Sequence, residues 1–113
     1  MSIELKLEHP GENTVMVSVH GDIDMSSSTK VRDVLTPLFQ DNNKAIIVDL
    51  SQVSYIDSSG IATLVEGLQW SHSSKNKFRL VALTPGVKDV FEIARLLTVF
   101  EVFDTQDQAL VAP

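Results

Sequence analysis

Ala45-Ile-Ile-Val-Asp-Leu50 is a nearly unbroken apolar run, and a helical pattern follows it closely. A strand of this composition is covered on both faces, so the chain has to fold in layers around it. The helix after it is read from about Ser59 to His72. Its sheet-facing stripe is Ile61, Leu64, Val65 and Leu68, three and four residues apart, and Thr63, Glu66, Gly67 and Trp70 take the outer face.

The flanking segments extend this alternation. Ile3, Leu5 and Leu7 alternate with Glu4, Lys6 and Glu8, the period of a strand with one buried face. His9-Pro-Gly-Glu-Asn13 reads as a hairpin loop longer than the tight two-residue kind, leading to Val15, Val17 and Val19 on a second strand. Ser26, Ser27, Ser28 and Thr29 offer caps and turn residues before a helix with Val31, Val34, Leu35 and Leu38 inward and Pro37 inside it. Lys77–Leu83 is a further strand. Pro85 opens a helix with Val87, Val90, Phe91 and Ala94 inward. Val99–Phe103 is a last strand, and Asp104 or Thr105 caps a closing helix. Strands alternating with helices after a hairpin predict an α/β fold: one domain over residues 1–113, with a mixed sheet, parallel in its later part, and about four helices. Right-handed crossovers then bring the ends of the second and third strands together. Asp22, Asp24, Asp57 and Ser58 share that edge.

At 113 residues the chain supports one core. A net charge of −6 argues against nucleic acid and anionic lipid, which favour a basic face. No window has the apolar length of a membrane span, and Met1–Glu8 lacks the basic start and apolar run of a signal peptide. With no cysteine, disulfides and thiolate chemistry are ruled out, which fits a cytoplasmic protein. His9, His20 and His72 fall in or beside turns or at a helix end and read as solvated side chains. No metal-binding, phosphate-loop or dinucleotide motif is present, so neither cofactor nor metal is expected and the chain does not read as an enzyme.

The densest chemistry lies at Asp57-Ser58-Ser59-Gly60, between the central strand and its helix. Ser and Asp are common N-caps, so these residues by themselves read as a structural cap. The same position, at the carboxyl end of a strand and the positive end of a helix, also favours an anion, including a phosphate on serine. Two motifs together decide between these readings. Val53-Ser-Tyr-Ile-Asp-Ser-Ser-Gly-Ile-Ala-Thr-Leu64 after Ile46–Leu50, with Gly21-Asp-Ile-Asp24 upstream, resembles the signature of the STAS family of bacterial anti-sigma factor antagonists, over essentially the whole chain.

That resemblance implies a binding module in a partner-switching cycle. The unphosphorylated antagonist binds an anti-sigma factor, usually a serine kinase of the histidine-kinase-like ATPase type, and frees a sigma factor or other client. The kinase phosphorylates the first serine after the aspartate, here Ser58, and a serine phosphatase reverses it. Asp57, Ser59 and Gly60 shape the turn, Asp24 matches the docking surface, and Thr63 is expected on the exposed side of the helix. Asp22 stands where glutamate is frequent, and Ile61-Ala62 where leucine-glycine is frequent. The alternative is a non-switching STAS subunit of a stressosome-like or transporter complex. A receiver-like phosphoacceptor fits less well, since receivers do not open with a hairpin and need a lysine where Asp104 stands. Trp70, off the buried stripe, is either an interface anchor or a cover over neighbouring structure.

Overall fold

The computed structural model describes residues 3–113. Met1 and Ser2, part of the stretch read above for a leader, lie outside the described residues. In chain order the elements are β1 Glu4–Gly11, β2 Thr14–His20, α1 Ser28–Gln40, β3 Ala45–Gln52, α2 Ser58–Ser74, β4 Lys77–Val81, α3 Pro85–Ile93, β5 Glu101–Phe103 and α4 Gln106–Val111. The strands form one sheet in the order β1-β2-β3-β4-β5. Among the described residues only the β1–β2 pair is antiparallel. The mixed sheet, the opening hairpin and the four helices are those predicted from the sequence.

Side-chain alternation along the strands builds two unequal layers. Val15, Val17 and Val19 of β2 join Ile46, Val48 and Leu50 of β3 in the main core, under Val31 and Leu35 of α1, Leu64 of α2, and Val87 and Phe91 of α3. On the opposite face Met16, Ile47 and Val81 are covered by Ala109 of α4. The apolar run of β3 is therefore covered on both faces, by three helices on one side and one short helix on the other.

Several local expectations are corrected. The hairpin closes through only Glu12 and Asn13. Asn13 takes a left-handed φ of 56°, which asparagine tolerates better than most residues. His9 and Pro10 belong to β1, where a register shift between Glu8 and Gly11 accommodates them; an edge strand can accept proline because no ladder hydrogen bond is needed there. β5 begins at Glu101, leaving Phe100 in the core and Val99 exposed. α3 ends at Ile93, so Ala94 becomes its cap and faces solvent.

The largest correction concerns the face of α2. Its buried residues are Gly60, Thr63, Leu64, Gly67 and Ser71, with Ile61, Val65 and Leu68 only partly covered. Small residues form the seam because the helix lies close to its neighbours. A Cβ on Gly67 would stand 2.9 Å from the Phe78 ring. Trp70 packs edge-on against Phe39 of α1 at 5.6 Å and lies under the Arg32 guanidinium at 5.9 Å. It covers the α1–α2 junction.

Candidate functional site

The site lies in the loops leaving β2 and β3. Because these strands are parallel neighbours, both chains leave the sheet at the same edge, and the loops pair once more beyond it. Ile23 and Ile56 form a parallel bridge: the Ile23 N–H donates to Tyr55 O at 3.0 Å, and the Asp57 N–H donates to Ile23 O at 3.1 Å. Both isoleucines are buried. Gly21, with φ 123°, turns the first loop out of β2 through a conformation that side-chain-bearing residues rarely adopt.

Asp57 is the N-cap of α2. Its Oδ1 accepts from the Ser59 N–H at 2.9 Å, the Gly60 N–H at 3.1 Å and the Ser59 hydroxyl, while Oδ2 accepts from the Met25 N–H at 3.1 Å in the other loop. One carboxylate thus caps the helix and ties the two loops together. Asp24 organises its own loop. Its Oδ1 accepts from the Ser26 N–H at 2.9 Å and the Ser26 hydroxyl at 2.6 Å. The Ser27 hydroxyl donates to Asp22 O at 2.7 Å and accepts from the Asp24 N–H at 3.0 Å.

These donors set the electrostatics. The Ser26 hydroxyl and N–H hold the Asp24 carboxyl below its ordinary value, and mutual repulsion with Asp57 opposes this only weakly. The Ser59 hydroxyl, helped by the Gly60, Ser59 and Met25 amides, does the same for Asp57. Both carboxylates are ionised at neutral pH.

The two serines after Asp57 differ sharply. Ser59 is half-buried and its hydroxyl is given to Asp57. Ser58, the first residue of α2, is exposed, and its hydroxyl has no partner among the described residues. The amides of Ser59 and Gly60 already serve the Asp57 side chain, and that of Ile61 its carbonyl. A phosphate on Ser58 would therefore meet the helix dipole and solvent, with fewer uncommitted amides than the sequence suggested.

Gly60 is confined as well: a Cβ there would lie 2.6 Å from Ile56 Cγ1, 2.8 Å from Ile23 Cγ2 and 2.9 Å from Ile23 O. Its contribution is close packing of the helix start on the bridged loops. Thr63 is corrected outright. It is 5% exposed and donates to Ser59 O at 3.1 Å, so it supports the first turn from inside and offers no docking surface. Asp24, Asp57, Ser58, Ser59 and Gly60 are brought together, and Thr63 lies behind them. Ser27 was read only as a cap or turn residue, and the Met25 amide was missed from sequence. A hydroxyl just before the start of α1 gives a cue for Ser27 as a turn residue, while a backbone donor gives none. Among the described residues no group of three or more His, Asp or Glu side chains could hold a metal ion, and no helix is long and apolar enough to cross a membrane.

A five-stranded mixed sheet with a hydroxyl-bearing helix start held against a second loop defines an α/β domain. Comparison with known proteins places it. Residues 5–109 match the STAS domain. The chain is 30% identical over 86 residues to the anti-sigma-B factor antagonist of Staphylococcus aureus, covering 76% of this chain and 80% of that protein. It superposes on the crystal structure of an anti-sigma factor antagonist from Mycobacterium paratuberculosis with a TM-score of 0.86 at 27% identity, covering 96% and 92% of the two chains. The fold also matches the phosphorylated form of the Bacillus cell fate determinant SpoIIAA, with a TM-score of 0.74 at 20% identity, covering 95% and 96%. The protein belongs to the STAS-domain family of anti-sigma factor antagonists.

Proposed function

We propose that this protein is a phospho-switched antagonist. Unphosphorylated, it binds an anti-sigma factor that is also a serine kinase of the histidine-kinase-like ATPase type, and so releases a sigma factor or other client. Phosphorylation of Ser58 ends that binding, and a serine phosphatase restores it. The observation carrying this reading is the exposed Ser58 hydroxyl at the start of α2, beside an Asp57 whose carboxylate reaches across to the Asp24 loop. Ser59 is the poorer acceptor because its hydroxyl is already engaged. The phosphorylated form of a protein with the same fold supports the reading. The contact residues are Asp24, Asp57, Ser58, Ser59 and the backbone at Gly60. A non-switching subunit would have no need of an exposed, unengaged hydroxyl here.

The switch is electrostatic. A phosphate adds about −1.5 to −2 charges next to Asp57. The partner's cations are already engaged by Asp24 and Asp57, so the phosphate is buried without a cation of its own; that costs several kcal/mol, and a loss of about 3 kcal/mol already lowers affinity more than a hundredfold. Ser58→Ala should bind the kinase without being switched off, and Ser58→Glu should bind poorly, with circular dichroism unchanged in both. Mass spectrometry of kinase-treated protein should place the phosphate on Ser58. Phosphate on Ser59, or full affinity in the phosphorylated form, would remove the proposal.

A further inference from the structure

Two large apolar side chains are exposed on the loops that carry Asp24 and Ser58: Met25 at 83% and Tyr55 at 53%. A lone exposed apolar side chain calls for no explanation. These two stand on backbone that is fixed. Tyr55 O accepts from Ile23 in the bridge beyond the sheet, and the Met25 N–H is held by Asp57 Oδ2. Ser26, next to Met25, is bonded to Asp24 through both its amide and its hydroxyl. Burying a side chain whose backbone is already ordered costs little further entropy on binding. Tyrosine is among the residues that dominate interface energies, and the unbranched thioether of methionine adapts to an apolar socket. Asp22, Asp24 and Asp57 stand on the same loops, in a chain of net charge −6, so a complementary partner carries cationic groups around that socket.

We propose that Met25 and Tyr55 are the apolar anchors with which this edge docks onto the anti-sigma factor kinase, in an apolar socket rimmed by lysine or arginine of that partner. The inference rests on the partner-switching reading above and specifies which side chains hold the partner. It also ties the anchors to the switch. Asp57 positions Met25 through Oδ2 and caps the helix beginning at Ser58 through Oδ1, so a phosphate on Ser58 appears beside the group that places one anchor.

The probe is the kinase purified from host extract by its transfer of phosphate to Ser58. Its affinity is measured for the wild type, Met25→Ser, Tyr55→Ser, Ser58→Glu and the control Ile93→Ser, a site 84% exposed on α3. Met25→Ser and Tyr55→Ser should each weaken binding about tenfold or more, with melting temperatures unchanged. Ile93→Ser should bind as the wild type does. In methyl NMR the Met25 resonance should shift on kinase addition while that of the buried Met16 stays put. The association rate should fall as salt is raised, and a rate indifferent to salt removes the cationic rim. Wild-type affinity in both anchor variants, with Ser58→Glu still weakened, overturns the anchors and leaves the switch intact. Wild-type affinity in Ser58→Glu overturns the switching reading itself. Concentration-dependent dimerisation abolished by Met25→Ser would assign the patch to a second copy of this chain and also overturn the proposal.

Discussion

Gly60 shows how closely a single residue can control this site. Alanine is the better helix former by about 1 kcal/mol, so an unconstrained Gly60→Ala would stabilise the protein. Here the added methyl meets Ile56, Ile23 and a backbone carbonyl at under 3.0 Å. Overpacking of this kind costs about 1–3 kcal/mol. Gly60→Ala should lower stability by about that amount in urea unfolding and, under the proposed partner-switching function, reduce kinase binding as the bridged loops are pushed apart; a stability gain would show that the loops yield freely. Asp57, Ser58, Ser59 and Gly60 were legible as a cap and turn because their residue types carry the chemistry themselves. Thr63 was misplaced because a threonine on a helix gives no sign of which neighbour covers it. An arginine at that position would bury a charge in the seam, so it probes folding and says little about docking.

At the scale of the element, α2 is governed by its start. The Asp57 carboxylate accepts two helix amides and one from the neighbouring loop. Its pKa is lowered by folding, chiefly by the Ser59 hydroxyl. The folded state therefore binds this proton more weakly than the unfolded chain does. The stabilisation is complete above about pH 4 and is lost as pH falls through the depressed folded value. Asp57→Asn keeps an acceptor oxygen and loses the charge. Its stability should fall less steeply than the wild type's below about pH 4, measured by urea unfolding at a series of acid pH values. Identical slopes would show that the cap does not depend on the charge. The extent of α2 was read to within a few residues, since its apolar residues keep helical spacing. Its buried face was read too far toward Ile61 and Val65. A stripe assigned from large side chains overlooks a seam formed by Gly60, Thr63, Gly67 and Ser71, where the absence of bulk lets the helix approach.

Across the whole molecule, the thinner layer is tied down by a buried cation. Arg79 of β4 is 3% exposed and donates to the carbonyls of Ala109, Ala112 and Pro113 at 2.8, 3.1 and 2.6 Å, and to Glu101 Oε1 at 3.3 Å. Its guanidinium also lies 5.7 Å from the Phe103 ring centre. These contacts hold α4 against the sheet, where Ala109 covers Met16, Ile47 and Val81. Arg79→Met keeps an apolar stem and removes every donor. Leaving buried carbonyls unpaired costs about 1–3 kcal/mol each, reduced where water can reach them. Hydrogen exchange should show α4 losing protection while α2 keeps its own, and equal protection in both would mean that apolar contact and the Gln106–Asp49 hydrogen bond at 2.6 Å suffice to dock α4.

The sequence by itself determined the number and order of the elements, the two-sided cover of β3, and the family to which the chain belongs. Periodicity and turn chemistry are local properties, and the two motifs are contiguous. Tertiary structure alone decided the contacts between segments distant along the chain. Asp57 reaches Met25 across 32 positions and Arg79 reaches carbonyls in and just after α4 across 30 or more. Neither pairing has a local signature, because each depends on which strand ends the sheet order places side by side. The same holds for Ser58. Its residue type marked it as a candidate, but its exposure, with Ser59 engaged beside it, follows from how the first turn of α2 packs on the bridged loops.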